Sequence, residues 1–174
     1  MILKKLGCII VLLSVCSMYA QQTTVKEAFL EKWSNSKTYL MALAESMPED
    51  KFSFKPTEGS MDFESQLLHI RGNMLWLSTT HFSDEEFDMI KLREESFDTK
   101  QDILKALEAA FDVVYQRVKM TNEEDFVKTV DFFAGAKSKL QILNLLHDHV
   151  THHRGQLVVY LNLNGIKPAQ YVGW

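Results

Sequence analysis

Apolar side chains recur along this chain at three-, four- and seven-residue spacing, the period of helices that bury one face. Phe29, Trp33, Leu40, Leu43 and Met47 form the first such stripe and predict a helix over 25–46. Thr23 or Thr24 stands ready to cap it, and Pro48 helps to end it. Phe63, Leu67, Ile70, Met74 and Leu77 predict a second helix over 62–81, with Asp62 as its cap. Ile103, Leu107, Ala110, Val114 and Val118 predict a third over 100–120. Thr99 followed by Asp102 resembles a capping box, with Asp in place of Glu or Gln.

The fourth helix has the clearest ends. Ser138 with Gln141 three residues on is a capping box, and Asn164, Gly165 and Pro168 spell a stop. About 25 residues lie between them, roughly 37 Å of helix at 1.5 Å per residue. Between these segments, 84–92 allows a short helical turn. Phe52 and Phe54 in one loop, and the apolar tail 166–174, are expected to fold back onto the helices. No strand pattern emerges. The fold class that follows is all-α, a four-helix bundle whose long connections do not force up-down-up-down order.

Composition narrows this further. With 174 residues, 46% hydrophobic and 24% charged, the chain suits one globular domain with a real core. A net charge of -4 argues against nucleic acid as a partner, because phosphate neutralisation needs a basic face. Residues 1–20 stand apart from the bundle. Lys4 and Lys5 precede an apolar run over 6–15, the pattern of a secretory signal peptide, and Ala20 offers a cleavage point before Gln21. The expected organisation is a signal peptide over 1–20 and one domain over 21–174, exported and most readily periplasmic. Lipoprotein processing at Cys16 ranks second, because Val15 fits poorly before such a cysteine. Both cysteines, Cys8 and Cys16, fall within this leader. The remaining chain would have charge -6 and no thiolate, so any metal site must be built from His, Asp and Glu.

The histidines supply the candidate chemistry. Four of six stand in the run HDHVTHHRGQ: His147, His149, His152 and His153. His149 and His153 continue the buried series of Ile142 and Leu146. Four residues apart, they sit one above the other and can share one ion. A third ligand must come from elsewhere. His69 is placed mid-helix among apolar residues, so it can meet the pair inside the bundle if the second and fourth helices are neighbours. Gly72 and Gly155 would let those helices approach. His81, near a helix end, is expected to be exposed. His147, His152 and Asp148 point off the ligand face; Gln156 can turn inward; Arg154 reads as readily as a surface charge. No Glu-x-x-His pair, Cys-x-x-Cys-His or His-Glu-x-x-His occurs, which excludes di-iron carboxylate, covalent haem and zincin sites.

The stretch LLHDHVTHHRGQLVVYLNLNGIKPAQYVGW resembles the last helix and tail of the DinB-like (DinB/YfiT) superfamily. The segment MPEDKFSFKPTEGSMDFESQLLHI resembles the lead into that family's second helix. The resemblance implies up-down-down-up order and one divalent metal held by three histidines, which fall here on His69, His149 and His153. It implies small-molecule chemistry of the kind carried out by transferases and isomerases that use bacillithiol or mycothiol, although many members have no known activity. An exporting leader departs from that, since such thiols are kept reduced in the cytoplasm.

The expected function is therefore a metal-dependent enzyme, a hydrolase or thiol transferase-like, acting on a small molecule. No general base can be assigned. Three imidazoles suit zinc, nickel or iron, and also copper. The rival readings are a non-catalytic metal- or ligand-binding module in the periplasm, and a bundle for protein association. A homodimer is open on the same grounds.

Overall fold

The computed structural model describes residues 24–173. Four long helices carry the fold: α1 (Val25–Ser46), α2 (Phe63–Phe82), α4 (Lys100–Met120) and α5 (Lys139–Leu163), with a short α3 (Met89–Glu94) between α2 and α4. Single 3₁₀ turns occupy Glu49–Lys51 and Glu123–Val127. The expected leader over 1–20, with its cleavage point and Cys16, lies outside the described residues.

Local chemistry sets the helix ends. Thr24 and Glu27 close a reciprocal capping box on α1, as Ser138 and Gln141 do on α5. At α4 the box is only half made. Thr99 Oγ1 accepts from the Asp102 amide, but the shorter Asp side chain bonds back to the Thr99 hydroxyl rather than to its backbone. Gly165 takes φ 71°, which lets its amide and that of Ile166 return to carbonyls of the last turn.

The helices do not pack in sequence order. α1 lies against α4 and α5, and α2 against the same two, so α1 faces α2 across the core. Named contacts give the directions. Lys26 at the start of α1 bonds Thr121 past the end of α4, and Lys100 at the start of α4 bonds Met47 past the end of α1, so this pair is antiparallel. Arg117 near the end of α4 meets Ser78 and Thr79 near the end of α2, so these two run together. Gln66 early in α2 meets Tyr160 late in α5, which makes that pair antiparallel. The order is up-down-down-up.

Trp33, Leu40, Leu43, Leu67, Ile70, Leu107, Phe111 and Leu146 fill the centre, and Trp33 Nε1 donates to the Phe111 carbonyl at 3.0 Å. Phe52 packs on Phe63, and Phe54 meets Tyr160 edge-on. Ile166, Ala169 and Val172 return to the core, and Tyr171 meets Tyr39 edge to face. These placements agree with the apolar pattern of both segments. The connection before α5 departs from it. It contains a minimal antiparallel hairpin, β1 (Thr129–Val130) with β2 (Lys137–Ser138), where a plain loop is expected. Two-residue strands are too short to show alternation. Among the described residues, no helix is long and apolar enough to cross a membrane.

Candidate metal centre

The antiparallel pairing of α2 with α5 brings His69 opposite His149 and His153. One ligand atom from each of the three lies within 4.8 Å of the others. His69 Nε2 and His149 Nε2 stand 3.1 Å apart. Two nitrogens bound to one ion at about 2.1 Å are separated by about 3.0–3.4 Å, for bond angles from 90° to tetrahedral, so His69 and His149 already have the spacing of shared ligands. The ring centroids are 4.5–4.8 Å apart.

Burial is graded across the centre. His153 is buried at 9% exposure, His149 is half-buried and His69 is exposed. The site is therefore a mouth on the bundle surface, where an interior site is expected from the sequence. Neither glycine serves the expected close approach of α2 and α5. A Cβ at Gly155 would meet nothing within 4 Å, whereas one at Gly72 would come within 3.3 Å of Leu92 on α3.

His153 is aimed by a chain of hydrogen bonds. Its Nδ1–H donates to Gln66 Oε1 at 2.6 Å, which fixes the tautomer and leaves the Nε2 lone pair free. Gln66 is 3% exposed, and its amide nitrogen donates to Gln156 Oε1 at 2.5 Å and to the Tyr160 hydroxyl at 3.3 Å. Tyr160 in turn donates to the Met61 carbonyl at 2.8 Å. Gln156 thus turns inward but holds Gln66 rather than a ligand histidine. Sequence reasoning passed over Gln66. Its signal is a polar residue one turn before His69, set between the buried Phe63, Leu67 and Ile70.

The electrostatics favour neutral ligands. Burial, followed by the nearby imidazoles, holds His149 down to about 4. Burial and then His69 and His152 hold His153 down to about 4. Burial lowers His69 as well. At neutral pH all three rings keep a lone pair for a cation. His149 Nδ1 is buried without a hydrogen-bond partner, so the trio is not a self-satisfied network of core histidines. The donor set and its spacing fit one divalent ion. Among the described residues, no carboxylate joins the group.

The other candidates fall outside it. His152 bonds Gln156 at 2.9 Å on the exposed side. His147 reaches Ser36 at 3.3 Å, and burial, then Lys32 and Arg154, hold it down to about 4. Arg154 is buried at 5% exposure over the Tyr39 ring and bonds Ser36, so it fastens α5 to α1 and is not a surface charge. His81 is buried against Phe132 and is not exposed as expected. Burial, followed by the positive charge of Lys139 at the start of α5, lowers the pKa of His81.

An all-helical up-down-down-up bundle with three histidines converging from α2 and α5 is the class this geometry defines. The chain belongs to the DinB family, whose model matches residues 18–173. It is 26% identical over 129 residues to the protein YjoA of Bacillus subtilis (strain 168), covering 71% of this chain and 80% of that one. The crystal structure of the DinB-like YjoA superposes with a TM-score of 0.69 at 19% identity, over 83% of this chain and 96% of that one. A DinB-like protein from Bacillus cereus superposes at 0.70 and 18% identity, over 86% and 99%.

Proposed function

We propose that the protein is an exported metal-dependent enzyme acting on a small molecule. His69, His149 and His153 are the ligands of one divalent ion, zinc, nickel or iron. The observation that carries this reading is the convergence of three neutral imidazoles, one of them locked by Gln66, at a surface mouth with no carboxylate among the described residues to close the set. When bound, such an ion supplies Lewis acidity to a water, a thiol or a substrate carbonyl.

The chain's own residues do the rest. Gln66 holds the proton of His153 on Nδ1, and the exposure of His69 leaves an open approach for substrate. Hydrolysis and thiol transfer both suit an open ligand position. The export part rests on the signal-peptide pattern of residues 1–20. Elemental analysis of the purified protein beside a His149→Ala/His153→Ala variant tests the centre. About one equivalent of metal, lost in the variant, is expected. Absence of metal in both after reconstitution would leave a helical ligand-binding module as the better account.

A further inference from the structure

The mouth at His69 continues into a groove of about 380 Å³ between α2 and α3. Gly72 lets α3 lie close here, since a Cβ would press on Leu92. The groove's α2 wall runs from His69 past Asn73 to Trp76, positions three to four residues apart on one face. Seven residues of helix span about 10 Å, which sets the length of a ligand lying along it.

Each station has its own chemistry. Leu68, Trp76, Met89 and Leu92 give apolar walls. Trp76 is held by Phe132 and Phe133, stacked at interplanar angles of 23° and 28°. Phe133 is 83% exposed, so this aromatic shelf reaches into solvent. Asn73 Oδ1 is buried without a hydrogen-bond partner, an acceptor that lacks an N–H or O–H. Arg93 lines the groove from α3 as an exposed cation with no ion pair among the described residues. Concavities of about 330 Å³ between α1 and α5, about 370 Å³ between α1 and α4, and about 430 Å³ beside α3 and α4 are not lined by any of the three histidines.

We propose that this groove binds the body of a small organic acid: a planar apolar end on Trp76, a donor for Asn73 and an anionic group for Arg93. This inference rests on the metalloenzyme reading in one respect, the presentation of the ligand's reactive end at His69. Binding itself needs only the groove.

N-benzoylglycine carries all three features, and N-benzoylglycinamide lacks only the charge. Both are titrated calorimetrically into zinc-loaded protein, chelator-treated protein and the variants Arg93→Ala and Trp76→Leu. The acid is expected to bind about two- to fivefold tighter than the amide in wild type, with or without metal. Arg93→Ala should remove that preference, and Trp76→Leu should weaken both ligands several-fold while circular dichroism stays unchanged. Acid preference in a protein that takes up no metal would sustain the groove and sink the metalloenzyme reading. Failure of either ligand to bind, a preference that Arg93→Ala leaves intact, or a folded Trp76→Leu protein with undiminished affinity overturns the proposal.

Discussion

Gln66 decides how His153 meets a cation. Its carbonyl oxygen accepts the Nδ1 proton at 2.6 Å, and its own amide is held by Gln156 and Tyr160, so the imidazole cannot rotate or change tautomer cheaply. Partners of this kind are worth about 10–100-fold in metal affinity. Gln66→Leu is therefore expected to weaken zinc binding by that factor in a chelator competition titration. Glu at the same position keeps an acceptor and should fall between Leu and wild type. Wild-type affinity in Gln66→Leu would show that His153 needs no such support. The substitution also strands the buried Nδ1–H, so the metal-free variant should lose about 1–3 kcal/mol in urea unfolding. The convergence of the histidines was partly legible in the sequence, because the i, i+4 pair of His149 and His153 on an apolar stripe is a local pattern. Gln66 was not, because its role exists only once α2 and α5 are set antiparallel.

At the scale of elements, the long helices were readable almost to the residue. Their apolar stripes and caps are local signals, and α1 and α4 occupy 25–46 and 100–120 as the pattern predicts. The meeting of His69 with the α5 pair came out as expected, whereas the surroundings of several single side chains did not. His81 sits near a helix end, a position that suggests exposure, yet Phe132 from the hairpin covers it. Gly72 serves α3 rather than α5, and Arg154 is buried because α1 supplies Tyr39 and Ser36. The cap of α5 offers a test of independence between elements. Ser138 bonds the Gln141 amide more than two turns before His149. Ser138→Ala should cost about 1 kcal/mol of stability in chemical denaturation. Zinc affinity should stay within error of wild type, because the ligand turns are held by α2. A large loss of affinity would mean that the frame of α5 is set from its N-terminus.

For the whole molecule, the three histidines come from two helices that contribute to one core, so an ion held by all three would be linked to stability. Zinc at a hundred times its dissociation constant should raise unfolding stability by about 2.7 kcal/mol, and chelator should remove that gain. The buried histidines of α5, two of them in this centre, make the metal-free protein sensitive to mild acid. His147, His149 and His153 are each held down to about 4 in the fold, below the ordinary value of 6.5, chiefly by burial. The unfolded chain takes up these protons as pH falls through 6.5, while the folded chain resists until about 4. Over that window the unfolded state binds more protons, so stability must fall as pH falls. Above 6.5 both states are neutral at these positions and they contribute no slope. Carboxylates add their own loss only below about pH 5, so the upper part of the window belongs to histidine. Thermal unfolding of chelator-treated protein should therefore show a melting temperature that is level above neutrality and declines steadily between about pH 6.5 and pH 5. The His149→Ala/His153→Ala variant removes two of the three groups held down to about 4 and should decline less steeply over the same range. Parallel curves for the two proteins would mean that His149 and His153 titrate in the fold much as they do in the open chain, and that their burial is shallower than the packing of α2 on α5 implies.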